Sequence, residues 1–522
     1  MKKYLLKRIL FSIFALFVVT GAVMILVYTL LNENMVLAND DVYKKAQGNE
    51  KTVYRYRRFK EFGYIDYVNF GDWMVANKEQ GTEAYTAAIS SIQEADKSLT
   101  FPTPDYCQEF VTTFQKSGYT VEWLQPVTNS RGVVTQKGYL VASRKINVFS
   151  RLLNYFGNMF YIDTIWSVDD PNLPMSERYV RWEWDKYSNM PALVGNGTRN
   201  RYLIYFDDQF PFVHQNIFHI NLGKSIDYSD RDTVDVIMSR TGNAIISDQV
   251  LPKDLDKENP TKVQSNLDFH TVTYSASITA TNAETYGEGN HYINATRKLD
   301  GFTRIGNSFV IGIIATVIAY IIGMPLGIWM ARKKDKLPDK IGTIYIVFII
   351  AVPSLAYIFM FAALGVNLFG LPYKWALATL PALAFILPTI SLALPSIGGL
   401  MRWIRRYMID QENADYVKFA RSQGLTEREI FVKHIFRNAM IFIVHSIPID
   451  ILACLTGAII TERIYGVPGI GGLLTNAINS YDNGVIIAST VFYTAISIIA
   501  LLLGDLLLAK YDPRVSFTNE RG

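Results

Sequence analysis

Six stretches of this sequence are too long and too apolar for an ordinary soluble core: residues 9–31, 305–330, 341–366, 375–400, 439–460 and 484–509. Each is close to the roughly 20 predominantly apolar residues that span the hydrocarbon of a bilayer. Within lipid the backbone must pair its own polar groups, so each stretch is expected to be a helix. Pro325, Pro353, Pro381, Pro388, Pro395 and Pro448 interrupt several of them. Membrane helices tolerate proline where neighbours satisfy the freed carbonyls. The first stretch follows Lys2, Lys3, Lys7 and Arg8, as a signal peptide would. It exceeds the roughly 7–15 apolar residues of a signal and no A-x-A site follows, so it reads as an uncleaved anchor.

Lys and Arg in short loops set orientation. The N-terminus, residues 332–336 and residues 402–437 are basic, whereas loops 367–374 and 462–483 hold only Lys374 and Arg463. Six crossings therefore put both termini in the cytoplasm and residues 32–303 outside. That outer region is rich in Tyr and Trp, too aromatic for disorder. Helical periodicity at 85–94 and 105–116, with alternation at 137–141 and 271–279, predicts a mixed α/β domain. Residues 191–200 and 251–260 read as loops. The aromatic run 179–184 (Tyr-Val-Arg-Trp-Glu-Trp) reads as packed core or an interfacial belt ahead of a docking surface. Cys107 and Cys454 give no disulfide framework.

Chemistry is sparse. The net charge of +4 is too small to indicate nucleic acid. Gly223-Lys224-Ser225 resembles the end of a Walker A loop, but Phe218 stands where its first glycine belongs. There is no HExxH, CxxC or GxSxG motif. His214 and His219 have no helical metal-ligand register, and His270, His291, His434 and His445 are scattered. No enzyme active site follows. Asp450, about one turn beyond His445, is the ionisable residue best placed inside a span. It reads equally as a pathway group or a structural contact. Asp505, near the end of the last span, reads as a snorkelling or capping residue.

The most informative stretch is charged and lies between two spans. Asp410 or Asn413 is placed to cap a short helix. Asp415 near its start, with Lys418 and Arg421 near its end, suits the helix dipole. Tyr416, Phe419 and Ala420 share a face. Gly424 is a natural left-handed stop, with Leu425 supplying the accompanying contact. Thr426-Glu427-Arg428-Glu429 is a capping box that opens a second helix running through His434 and Arg437 into the next span. A short amphipathic helix joined rigidly to a span can transmit a push. The alternative is a helix lying on the bilayer surface.

These residues resemble a known family. Asp415-Tyr416-Val417-x-x-Ala420-Arg421-x-x-Gly424-Leu425 followed by His434-x-x-Arg437-Asn438-Ala439 is similar to the EAA coupling loop of binding-protein-dependent ABC importers. Thr461-Glu462-Arg463-Ile464-Tyr465-Gly466-Val467-Pro468-Gly469-Ile470-Gly471, Asp512-Pro513-Arg514, Lys3-Tyr4-Leu5-Leu6-Lys7-Arg8 and Pro325-Leu326-Gly327 narrow the resemblance to the peptide/nickel permeases, nearest to the first permease of an Opp/Ami-type oligopeptide importer. Residues 212–226 look like the outer segment preceding the second span. Most of 32–201 has no counterpart in the usual pattern.

The resemblance implies a mainly α membrane protein of type I ABC importer permease architecture, with six transmembrane helices and a large mixed α/β extracellular domain inserted between helices 1 and 2. Residues 1–31 would be the anchor, 32–303 the extracellular domain, 304–511 the transmembrane domain with coupling loop 402–437, and 512–522 a cytoplasmic tail. Expected partners are a second homologous permease, two cytoplasmic ABC ATPases, an extracellular peptide-binding lipoprotein and the oligopeptide itself. No cofactor is expected in this chain; ATP and Mg would belong to the ATPases. Asp415, Tyr416, Phe419, Ala420, Arg421, Gly424 and Leu425 would couple to an ATPase, with Ala420 permitting close approach. Glu462, Gly466, Pro468, Gly469 and Gly471 would shape an outer gate. Asp450 departs from the apolar or amide residue expected there and inherits no role. Import of another small solute such as nickel, a receptor with an outer sensing domain, and a tethering scaffold stay open as alternatives.

Overall fold

A computed structural model describes residues 2–30, 33–76, 83, 86, 90, 105–131, 133–170, 173–185, 188–206, 212–228, 231–239, 247–250, 262–265, 267–275, 292–297 and 302–512. The expected helix over most of 85–94, the loop at 251–260, the end of the 271–279 strand, His291 and the Pro513-Arg514 pair lie outside the described residues.

Five helices among the described residues are long and apolar enough to cross a membrane, and a bent pair can count as a sixth crossing. The long helices and their short neighbours are α1 (Lys2–Leu30), α2 (Arg304–Arg332), α3 (Leu337–Ala351), α4 (Ser354–Phe369), α5 (Pro381–Glu412), α6 (Asp415–Ser422), α7 (Arg437–Tyr465), α8 (Ile470–Ser480) and α9 (Asn483–Tyr511).

The expected single span at 341–366 is corrected by the structure. It breaks between α3 and α4 with a bend of 111°. Pro353 offers no N–H and forces the residue before it out of the helical region. Val352 accordingly sits at φ −82°, ψ 128°. The expected span at 375–400 is also shifted. Trp375–Leu377 is a separate 3-10 turn, and the helix starts at Pro381 and continues to Glu412. Pro381 opens it at a position where the missing N–H costs nothing.

Helices α2 and α5 form the tightest pair. A Cβ at Gly323 would lie 3.1 Å from Ile397 O, and one at Gly327 would lie 3.0 Å from Ile404 Cβ. Small residues let membrane helices approach this closely, which explains Gly327 in the Pro325-Leu326-Gly327 motif. Asp339 and Arg405 join α3 to α5 by a two-pronged ion pair of 2.5 and 2.7 Å. Helix α1 lies beside α9, where Arg8 and Asp505 are 3.0 Å apart. Asp505 is therefore an inter-helix ion-pair partner, where snorkelling or capping was expected.

The region between α1 and α2 is mixed α and β. Strands Ile65–Asn69, Tyr139–Lys145 and Thr120–Leu124 form an antiparallel sheet with Tyr139–Lys145 central. Phe70, Met74, Cys107, Phe110, Leu140 and Ala142 build a core on one side of it. Leu37, Val53, Phe59, Ile65, Tyr67 and Val141 build another. A second antiparallel sheet runs Val213–Gln215, Tyr202–Phe206, Met190–Gly195, Val180–Asp185. The loop expected at 191–200 is thus strand as far as Gly195 and a loop only from residue 196 on. Pro191 misleads there, since proline is accepted at the start of a strand. Most of the aromatic run lies on the edge strand, where Trp182 and Trp184 are 57% and 64% exposed and so are not packed core, while Tyr179 packs against the core of this sheet.

Candidate functional site

The motif residues gather at the two ends of α7. At one end α6 stands between α5 and the start of the next helix. Neither Asp410 nor Asn413 caps it. The cap position is Ala414, without a side-chain acceptor, while Asn413 Nδ2 donates back to Ile409 O at 3.0 Å. Helix α6 is instead held by burial. Val417 and Ala420, one turn apart, join a core with Ile404, Met408, Ile430 and Ile435. The small side chain of Ala420 therefore permits close approach to the chain's own core. Tyr416 OH donates to Gln411 Oε1 at 2.5 Å. The opposite face points away: Phe419 is 62% exposed, and Asp415 and Lys418 pair with each other at 2.9 Å on the surface. That lysine holds the Asp415 carboxyl below its usual range.

The stop is a Schellman turn. Gly424 has φ +81°, and Leu425 N donates to Ala420 O at 3.4 Å. Leu425 packs against the same core. Arg421 crosses the turn to Glu427 at 2.9 Å. The capping box forms as read: Glu429 N donates to Thr426 Oγ1 at 3.3 Å, and Thr426 N donates to Glu429 Oε2 at 3.2 Å. The chain then continues without a break through a π-helical stretch, Ile430–Phe436, into α7. The wider π turn brings residues five apart onto one side, and Ile430 and Ile435 are both buried.

At the other end α7 stops at Gly466, φ +66°. The chain turns through Val467, Pro468 and Gly469 into α8. Here the polar group is inside. Glu462 is 1% exposed. It accepts from Ser308 Oγ at 2.6 Å and from the backbone N–H groups of Gly471 and Gly472 at 2.8 and 3.0 Å. A carboxylate at the start of α8 suits its unpaired N–H groups and dipole. Asn307 Nδ2 donates to Pro468 O at 3.0 Å, so α2 also grips the turn. A Cβ at Gly471 would stand 2.6 Å from Ile459 Cα. The site is a packed buttress joining α2, α7 and α8.

Midway along α7, Asp450 lines a cavity of about 320 Å³ among α2, α5 and α7, with Tyr320, Ser396, Trp403, Tyr407 and Phe442. Asp450 Oδ2 accepts from Tyr320 OH at 2.6 Å and from Ser446 Oγ at 3.1 Å. Asp450 therefore makes a structural contact and faces a cavity at once. No group of metal-ligating side chains occurs among the described residues. His214 stacks on Tyr205 with centroids 5.0 Å apart, and His219 Nε2 lies 2.8 Å from Asn216 O. The Walker-like Ser225 donates to Asp482 Oδ2 at 2.5 Å, a joint between the inserted region and α9. Sequence reading missed Ser308, Asn307, Tyr320 and Asp339. These are ordinary polar residues whose partners lie on other helices.

The family model for the binding-protein-dependent transport system inner membrane component matches residues 323–517. Along its whole length the chain is 32% identical to the oligopeptide transport system permease protein AmiC of Streptococcus pneumoniae, over 529 residues covering 100% of both chains. The chain belongs to this transport family. As a member, this permease is a membrane component of a transport system rather than an enzyme. The permease is also 33% identical over 215 residues to the dipeptide transport system permease protein DppB of Lactococcus lactis, covering 41% of this chain and 69% of that one. Among solved structures, a chain of an amino acid ABC transporter aligns with 41% of the permease and 92% of itself at 20% identity, with a TM-score of 0.32, too slight a likeness to carry an argument. The alignment with DppB covers less than half of the chain, whereas the alignment with AmiC covers all of it, the inserted region included.

Proposed function

We propose that this chain is one of the two permeases of an ATP-driven oligopeptide importer. Six crossings, counting α3–α4 as one, form a type I ABC importer permease, with both termini cytoplasmic and residues 32–303 forming an extracellular domain. An external peptide-binding lipoprotein delivers oligopeptide. Two cytoplasmic ATPases bind ATP and Mg, and their closure moves the coupling helices so that the pathway alternates between outside and inside.

The observation that carries this reading is the two-faced α6. Val417 and Ala420 lock it to the body of the chain, while Phe419, Asp415 and Lys418 face away. Phe419 is the knob that enters an ATPase cleft. Gly424 and the capping box pass its displacement into α7 without slack. Glu462, Gly466, Pro468, Gly469 and Gly471 hold the outer end of α7 as a stiff unit, which supports a lever that rocks rather than bends. Asp450 faces the cavity beside that lever and is a polar group of the pathway.

The test is copurification of the tagged chain from its native membrane in mild detergent, with peptide uptake in the same strain. The wild type should bring down a second permease and two ATPases. Phe419→Asp should lose the ATPases and keep the second permease, because an exposed side chain contributes little to folding. Gly424→Val should insert but not transport. Full ATPase recovery with Phe419→Asp, or a kinase recovered in place of the ATPases, would refute the reading and favour a receptor.

A further inference from the structure

A cavity of about 220 Å³ lies where the ends of α1 and α9 meet the inserted region. None of the roles above uses it. Arg151 lines it and is 8% exposed. Neither its Nε nor its Nη2 has a hydrogen-bond partner among the described residues. Its guanidinium carbon stands 3.4 Å from the ring centroid of Tyr28 and 3.8 Å from that of Tyr64. Aromatic faces offset the positive charge but give those N–H groups no acceptor. A buried cation with idle donors is costly unless something completes it. Lys224 adds a second positive charge to the lining. The carboxylate of the lining, Glu61, is engaged by Arg58 at 2.7 Å. The cavity therefore keeps an excess of positive charge.

Its depth is set by the helix that carries Arg151. Val148–Gly157 runs back alongside α1. The rings of Phe156 and Phe17 are 4.5 Å apart, and Leu152 Cδ2 lies 3.8 Å from where a Cβ on Gly21 would be. Both α1 partners fall inside its apolar span, Leu6–Thr29. The other side of the helix leaves Phe149 and Leu153 69% and 59% exposed. Packed lengthwise against α1 with this apolar face turned out, the helix reaches into the apolar layer, and Arg151, against Tyr28 at the end of the span, stands at the level of lipid headgroups.

We propose that this cavity binds the phosphate group of an anionic phospholipid, held by the fork of Arg151 and by Lys224. A planar guanidinium matches phosphate oxygens in pairs. The bound lipid would pin the inserted region to α1 and α9. The inference rests on the membrane placement of α1 and not on the identity of the transported solute.

The test uses the full chain with the subunits that copurify, in nanodiscs of phosphatidylcholine with or without phosphatidylglycerol, followed by native mass spectrometry. The wild type should keep phosphatidylglycerol through a detergent wash that removes phosphatidylcholine. Arg151→Gln should reduce that retention by roughly tenfold or more, the effect of losing charge-assisted hydrogen bonds. Asn154→Trp fills the cavity from an exposed helical position and leaves Arg151 in place, so it reports even if Arg151→Gln folds poorly. It should lose the lipid too. Equal retention by wild type and Asn154→Trp overturns the proposal, as does a wild type that keeps neither lipid. Thermal stabilisation by inorganic phosphate without lipid retention overturns the lipid as source and assigns the site to a soluble phosphate.

Discussion

The two ends of α7 both turn on a left-handed glycine, Gly424 before it and Gly466 after it, but the outer end adds glycines that serve a different purpose. At Gly424 a Cβ would meet nothing within 4 Å, but φ is +81°. Glycine is there for backbone shape, and the space around it is open. At Gly469 φ is an ordinary −108°, yet a Cβ would strike the Glu462 carboxylate at 2.3 Å. Glycine is there because the interior is full. The charged residues follow the same division: Arg421 and Glu427 meet on the surface, whereas Glu462 is enclosed. One end of the helix leaves charged and aromatic side chains on the surface, where the proposed coupling needs them, and the other is held by its own chain. A lever needs both.

Four measurements sharpen or break that contrast. The largest effect belongs to Glu462→Ala, which removes the acceptor of Ser308 and of the Gly471 and Gly472 N–H groups. It should destabilise the purified protein by about 3 kcal/mol or more, read as thermal unfolding in detergent. A near-normal transition would mean that the buttress is not held by this carboxylate. Next, Gly471→Ala should cost about 1–3 kcal/mol through overpacking. Gly424→Ala should cost about 1 kcal/mol through left-handed strain alone. If the second proved the more damaging, the division between shape and space would fail. Thr426→Ala removes half of the capping box and should cost about 1 kcal/mol. It should speed amide exchange at Glu429 and leave α8 unchanged.

The smallest effect is a pH dependence at the joint between the inserted region and α9. Burial raises the Asp482 carboxyl above its ordinary 3.8 despite the hydrogen bond from Ser225. The folded state then favours the protonated form. Its contribution to stability is present below pH 3.8, declines as pH rises through the raised value, and is flat beyond it. Asp482→Asn should remove that decline from a series of melting temperatures begun near pH 4.

Much of this was legible in the residues. Gly424 with Leu425 and the Thr426–Glu429 box were readable because a helix stop and a capping box are local, set by residues within six positions of one another. The apolar runs were readable because crossing lipid is a property of a single segment. Their limits were less so. Pro353 breaks its helix, whereas Pro388 and Pro395 lie inside α5 without breaking it. Only the neighbouring helices decide which freed carbonyls are satisfied. The face of α6 was misassigned for a related reason. Tyr416, Phe419 and Ala420 are neighbours by periodicity, yet the core beneath takes Val417 and Ala420 and leaves Phe419 outside. Trp182 and Trp184 lie on an edge strand, and pairing order is not written in the strand itself.

Sequence by itself determined that the chain lives in a membrane, that a glycine stop and a capping box follow one another at 424–429, and which short segment lies between two spans. These follow from hydrophobic length and from hydrogen bonds closed within a few residues. Tertiary structure alone decided that Glu462 is a buried anchor, that Phe419 is the exposed knob, that Asp450 meets Tyr320 across a cavity, and that Arg151 waits beside α1 with idle donors. Each of those depends on what a distant part of the chain brings to within 4 Å, and burial and pairing at such distances are properties of the packed molecule.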